Sequence, residues 1–154
     1  MGLEIERKFL VTGTAWKALA AGVPTRQGYL VSTVDRTVRV RIAGERGFLT
    51  VKGRSQGLSR AEFEYAIPAE DAAAMLDGLC EKPLIEKTRY RIPFGGYTWE
   101  VDEFHGANAG LVVAELELES ADAEPALPPW VGREVSRDER YFNVNLVKRP
   151  FTTW

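Results

Sequence analysis

Polar and apolar residues alternate one for one along most of this chain, a period of two that marks strands with one buried face. The pattern recurs at residues 3–11, 29–31, 37–42, 48–53, 61–67, 85–92, 97–104 and 111–119, and predicts about eight strands. Helical spacing is confined to residues 14–21, to 69–79, which opens with Glu70 and Asp71, and to 138–147. Short glycine-marked connections at 44–47 and 95–96 suit antiparallel hairpins better than parallel crossovers. Residues 121–130 hold Pro125, Pro128 and Pro129 and read as a loop. With no internal repeat, low-complexity tract or long linker, the expectation is one strand-dominated α+β domain over residues 1–154.

Side chains two apart on a strand share a face, and here one face is charged. Glu4, Glu6 and Lys8 lie opposite Ile5 and Phe9. Arg39 and Arg41 oppose Val38, Val40 and Ile42, and Lys52 and Arg54 oppose Leu49 and Val51. Glu62 and Glu64 oppose Phe63 and Tyr65; Lys87, Arg89 and Arg91 oppose Tyr90 and Ile92. Glu100 and Asp102 oppose Trp99 and Val101, and Glu115, Glu117 and Glu119 oppose Leu116 and Leu118. An ordinary antiparallel sheet with a wet face alternates in this way too, so a sandwich with its charges outside and a barrel with its charges inside both fit. Sign sorting bears on the choice. A solubility surface mixes signs, whereas neighbours on this face, roughly 6.5–7 Å apart, are mostly alike. Like charges repel unless something of opposite sign sits among them. Basic pairs suit a polyanion, and carboxylate pairs suit a hard divalent cation with oxygen ligands. A phosphate chain carried by a divalent metal needs both in one cavity.

Composition narrows the alternatives. Twenty Lys and Arg against 22 Asp and Glu leave a net charge of −2, which speaks against a nucleic-acid polymer as partner. The 45% hydrophobic content and the length suit a globular core without covalent staples. Cys80 has no partner for an internal disulfide, and no cysteine and histidine set suggests a zinc site. Neither a membrane span nor a signal peptide is evident, so the expected compartment is the cytoplasm. His105 reads as a loop residue, Cys80 as a packed one, and the four tryptophans as packing groups.

The opening string Glu4-x-Glu6-x-Lys8, followed in order by Val38-Arg-Val-Arg-Ile42, Thr50-Val-Lys52, Glu62-x-Glu64, Lys87-Thr-Arg-Tyr90, Glu100-Val-Asp102 and Ala114-Glu-Leu-Glu-Leu118, resembles the CYTH superfamily of triphosphate tunnel metalloenzymes. The ending from Glu134 to Asn143, with Asn145 and Leu146, is similar to that of its short bacterial members. The resemblance implies an eight-stranded antiparallel closed barrel with a few flanking helices. It also implies triphosphate-containing substrates bound with Mg2+ or Mn2+. It sets Glu4, Glu6, Asp102, Glu115 and Glu117 at metal-binding positions, and Lys8, Arg39, Arg41, Lys52, Lys87 and Arg89 at phosphate-binding ones, with Arg133 as a further contact. Glu62 or Glu64 would orient or deprotonate the attacking water, and Lys8 would serve binding and catalysis together. The expected activity is hydrolysis of a terminal phosphoanhydride, first of inorganic triphosphate. Class IV adenylyl cyclase or thiamine triphosphatase activity, and a polyphosphate- or nucleotide-binding module without turnover, are the alternatives. An apolar outer face could be covered by pairing two chains as a homodimer.

Overall fold

The computed structural model describes residues 2–154. Eight strands form the barrel: β1 (Leu3–Val11), β2 (Gly22–Ser32), β3 (Arg36–Ala43), β4 (Arg46–Gly53), β5 (Ser59–Ile67), β6 (Ile85–Phe94), β7 (Tyr97–Phe104) and β8 (Val112–Glu117). They run β5-β4-β3-β2-β6-β7-β8-β1, all antiparallel, and the sheet closes on itself where Leu3 pairs with Ala61 and Ile5 with Ser59. Beyond Ile5 the two strands part. A ninth strand, β9 (Val131–Glu134), then takes the same edge of β1 opposite Phe9 and Val11. Helix α1 (Ala69–Gly78) follows β5, and a short helix α2 (Asn143–Lys148) lies near the C-terminus. No helix among the described residues is long and apolar enough to cross a membrane.

The strands expected from alternation are all present; β2 to β6 run longer than expected, β2 by the most, and β8 is shorter. β2 begins at Gly22, because Gly22–Gln27 pair with β6, although Pro24 and Gly28 interrupt its pattern. β9 was not expected: four residues, Val-Gly-Arg-Glu, are too few to show a period. Helical spacing at 138–147 resolves into a 3-10 turn, Glu139–Tyr141, and then α2, and residues 14–21 give only the 3-10 turn Ala15–Leu19. The hairpin turns rest on Gly44 (φ 61°) and on Gly95 and Gly96 (φ 61° and 83°), a left-handed backbone that a Cβ disfavours.

Three apolar clusters hold the molecule together. On the outer wall, Phe9, Ile92, Trp99, Val101 and Leu116 are covered by Trp16 and Trp130, which arrive from the 3-10 turn after β1 and from the proline-rich loop. A second outer cluster places Ala72, Leu76 and Cys80 of α1 and its end over Val40, Ile42 and Leu49. Gly47 makes that approach possible, since a Cβ there would come within 2.9 Å of the Ile67 carbonyl oxygen. Burying each large side chain contributes roughly 1.5–3 kcal/mol. The third cluster lies inside one end of the barrel, where Tyr29, Ile85, Phe104, Leu111 and Val113 meet Tyr141, Leu146 and Val147 from the C-terminal segment. Outside, Phe63 and Tyr65 on β5 are left 48% and 59% exposed by the described residues.

Candidate active site

Closure of the sheet decides between the two arrangements left open by alternation: the charged face turns inward. The barrel holds a cavity of about 260 Å3 lined by eight basic and seven acidic side chains. Cross-strand register explains how they meet. Glu4 faces Arg60, Glu6 faces Glu117, Lys8 faces Glu115, Lys52 faces Glu62, and Arg91 faces Glu100. Phe142, Asn143 and Val144 line the same cavity, so the C-terminal segment supplies its floor.

The bases are held in two sets. Lys87 and Arg89 stand on Asp102, whose carboxylate receives Arg89 Nε and a terminal nitrogen at 2.7 Å each and Lys87 Nζ at 2.8 Å. Asp102 is 0% exposed. Burial would raise its proton affinity, but Arg89 and Lys87 overcome that and lower its pKa. Burial moves Lys87 the other way, down to about 8 despite Asp102. Across the cavity, Glu64 Oε1 accepts from Thr50 Oγ1 at 2.9 Å, Arg41 at 3.1 Å and Arg39 at 3.4 Å. Both arginines keep a buried Nε without an acceptor among the described residues. Arg41 is pulled down to about 10, first by burial and then by the neighbouring charges of Arg39 and Arg89. A buried cation with an unspent donor, crowded by other cations, is stabilised by an entering anion.

The acids are held as pairs. Glu4 and Glu62 share a hydrogen bond and flank Lys52, whose Nζ lies 3.2 Å from Glu4 Oε1 and 3.3 Å from Glu62 Oε2. Burial pushes Glu4 up, yet Lys52, the bond to Glu62 and Arg60 bring it below the usual carboxylate range, while burial and Glu4 raise Glu62. Glu6 and Glu115 form the other pair. Burial, Glu115 and Glu4 raise Glu6 well above its ordinary value. Against the cost of burial, Lys8 and Arg89 hold Glu115 well below its own. Glu117 is raised by burial and by Glu4 and Glu100. No three metal-ligating side chains converge among the described residues. The pairs nonetheless offer only oxygen donors, which is the donor chemistry of a hard divalent cation.

Of the residues expected to form the site, Glu4, Glu6, Lys8, Arg39, Arg41, Lys52, Glu62, Glu64, Lys87, Arg89, Glu115 and Glu117 all line the cavity. Asp102 lies behind its wall with both oxygens engaged by bases, so its immediate effect is to position them. Arg133 is exposed on β9 and does not line the cavity. Arg54 points away from it to Asp35 at 3.1 Å, and Glu119 accepts from the Tyr97 hydroxyl outside. Among the lining residues that sequence reasoning did not assign to the site are Arg60, Tyr29, Asn143 and Ser136. Arg60 was findable: it is two residues before Glu62 on one face, and starting the strand at 59 includes it. Tyr29 continues the inward face beside Arg39, its hydroxyl accepting from Gln27 Nε2 at 3.4 Å. Asn143 accepts from Lys87 Nζ at 3.2 Å across 56 residues of sequence, a contact no local pattern announces.

A closed antiparallel barrel with sorted bases and paired carboxylates around one cavity defines a class of protein built to hold a polyanion together with a cation. This chain belongs to the CYTH domain family, whose model matches residues 2–151. It is 56% identical over 151 residues to an inorganic triphosphatase of Acetivibrio thermocellus, covering 98% of this chain and 97% of that protein. To an inorganic triphosphatase of Nitrosomonas europaea it is 43% identical over 148 residues, covering 93% and 95%. A crystal structure of an inorganic triphosphatase superposes with a TM-score of 0.67 at 37% identity, covering 93% of this chain and 96% of the other.

Proposed function

We propose that this protein hydrolyses inorganic triphosphate to diphosphate and phosphate with the help of a divalent cation, Mg2+ or Mn2+. The observation that carries the reading is the pair of buried, acceptorless Nε donors on Arg39 and Arg41, set in a cavity where Lys8, Lys52, Lys87 and Arg89 also converge. The identity to two inorganic triphosphatases along nearly the whole chain supports the same substrate. Inorganic triphosphate is recognised through charge alone, which this lining supplies.

Glu4, Glu6, Glu115 and Glu117 would hold the cation, which when bound would neutralise phosphoryl charge. Asp102 keeps Lys87 and Arg89 aimed into the lumen. Arg39, Arg41, Lys8, Lys52, Lys87 and Arg89 would align the chain and offset charge on the transferred phosphoryl, where alignment and electrostatics supply most of the catalysis. Between the two candidates for handling the attacking water, Glu62 is favoured. Its proton affinity is raised, whereas Glu64 is committed to Thr50, Arg41 and Arg39. The test is phosphate release from inorganic triphosphate, ATP and thiamine triphosphate, each with Mg2+, Mn2+ or EDTA. Metal-dependent release, fastest from inorganic triphosphate, is the expected outcome; none from any of the three overturns the reading.

A further inference from the structure

We infer that Arg60 is a further substrate-contacting residue, the one that meets the phosphoryl group nearest the cavity entrance. The inference rests on reading the cavity as a triphosphate site and adds a residue to it. Arg60 begins the inward face of β5 and stands directly across from Glu4 in the register that closes the barrel. The only side-chain hydrogen bond it makes among the described residues is Nε to Glu4 Oε1 at 3.4 Å, near the limit for such a bond. Glu4 does not depend on it, because Lys52 Nζ reaches both Glu4 oxygens, at 3.2 and 3.3 Å. The two terminal nitrogens of the Arg60 guanidinium are thus unspent while facing a lumen already crowded with cations. Ser55, Gly57 and Leu58, from the loop just before β5, line the cavity beside it, and its side chain is 29% exposed. That places the fork at the entrance and not at the floor.

A planar fork with two free N–H edges matches the oxygens of a phosphoryl group, which lysine's point charge does not. A polyanion entering the cavity would satisfy those edges and leave Glu4 with Lys52. Glu4 would then be no worse paired than its geometry already allows.

Calorimetric binding of tripolyphosphate in EDTA, where turnover is absent, tests this with variants whose folding is checked by melting curves. Arg60→Ala should weaken binding roughly tenfold or more, the scale of one charge-assisted hydrogen bond. Arg60→Lys should recover only part of that. Arg54→Ala, an exposed arginine paired with Asp35 outside the cavity, should stay within about twofold of the wild type, a factor worth well under 1 kcal/mol. The weakening caused by Arg60→Ala should persist in a Glu4→Gln background, because the contact is made to the polyanion. An Arg60→Ala protein that binds within twofold of wild type overturns the inference. So does a loss that disappears in the Glu4→Gln background, which would make Arg60 a clamp on Glu4 and nothing more. If the wild-type chain itself neither binds nor hydrolyses tripolyphosphate, it is the triphosphate reading that fails, and Arg60 with it.

Discussion

The inward face of the barrel has two halves that follow opposite rules. On β1 the sequence runs Glu4, Glu6, Lys8 and then Leu10; on β8, Glu117 and Glu115 give way to Val113. On β6, Arg91, Arg89 and Lys87 are followed by Ile85, and on β7, Glu100 and Asp102 by Phe104. All four strands switch from charged to apolar toward the same end. That end is sealed by Tyr141, Leu146 and Val147, and the charged half stays open to the cavity. The apolar half is stabilised by burial alone and needs no ligand. The charged half buries groups such as Asp102, Lys87 and Glu115 that survive only because each is paired. One half therefore supplies stability and the other holds a site that an anion and a cation complete.

The largest effect should come from removing the buried carboxylate on which two bases stand. Asp102→Leu leaves the buried Lys87 and Arg89 without their shortest partner, and should cost about 3–5 kcal/mol in urea unfolding. Asp102→Asn, which keeps the shape, should cost less. Adding tripolyphosphate should return part of the loss in both, because it supplies the missing negative charge. If either variant is as stable as wild type, the charged half is not held by its pairs.

The matching test on the apolar half is Leu146→Ala. Leu146 is 0% exposed, and the truncation should cost about 2–4 kcal/mol, a gap from the wild type that tripolyphosphate should leave unchanged because it stabilises both proteins alike. Recovery there would mean that the two halves are not independent.

The charged half was legible in the sequence and the apolar half was not, for a physical reason. A period of two reports which side chains share a face, and like-signed neighbours report that the face is not ordinary surface. Whether that face points in or out is settled by closure of β1 on β5, a pairing of residues almost 60 positions apart. The family pattern could supply that closure, whereas periodicity could not. Leu10, Val113, Ile85 and Phe104 lie at strand ends, and no local pattern shows that the segment covering them comes from the far C-terminus. Asp102 shows the limit on roles: its type and face fitted a metal ligand, but only the positions of Arg89 and Lys87 show both its oxygens engaged. Arg133 was carried by resemblance and by no pattern of its own, and it lies outside the cavity.

Lys87 makes the charged half sensitive to pH, since burial holds its folded pKa at about 8, below the ordinary 10.5. Between those values the unfolded chain binds the proton that the ligand-free protein has released, so Lys87 makes the protein more stable as pH rises through that window. Binding a polyanion favours the ammonium form. Above pH 8 tripolyphosphate binding should therefore take up a proton at Lys87, and affinity should fall with pH by at most about tenfold per unit. Calorimetry in buffers of different ionisation enthalpy reads the uptake. Lys87→Gln should lose that share of it, and an unchanged uptake in the variant would place the titrating group elsewhere.

The smallest effect belongs at the rim. Arg133 is exposed, its charge is felt by Asp138 on the surface, and it does not line the cavity. Long-range attraction from one exposed arginine is screened within about 8 Å at physiological ionic strength. Arg133→Ala should therefore leave kcat unchanged and shift KM for inorganic triphosphate by less than about twofold, with that remnant vanishing as salt is added. A loss that resists salt would require Arg133 to reach the bound chain, and the boundary drawn between the charged lumen and the outer wall would have to move outward to include β9.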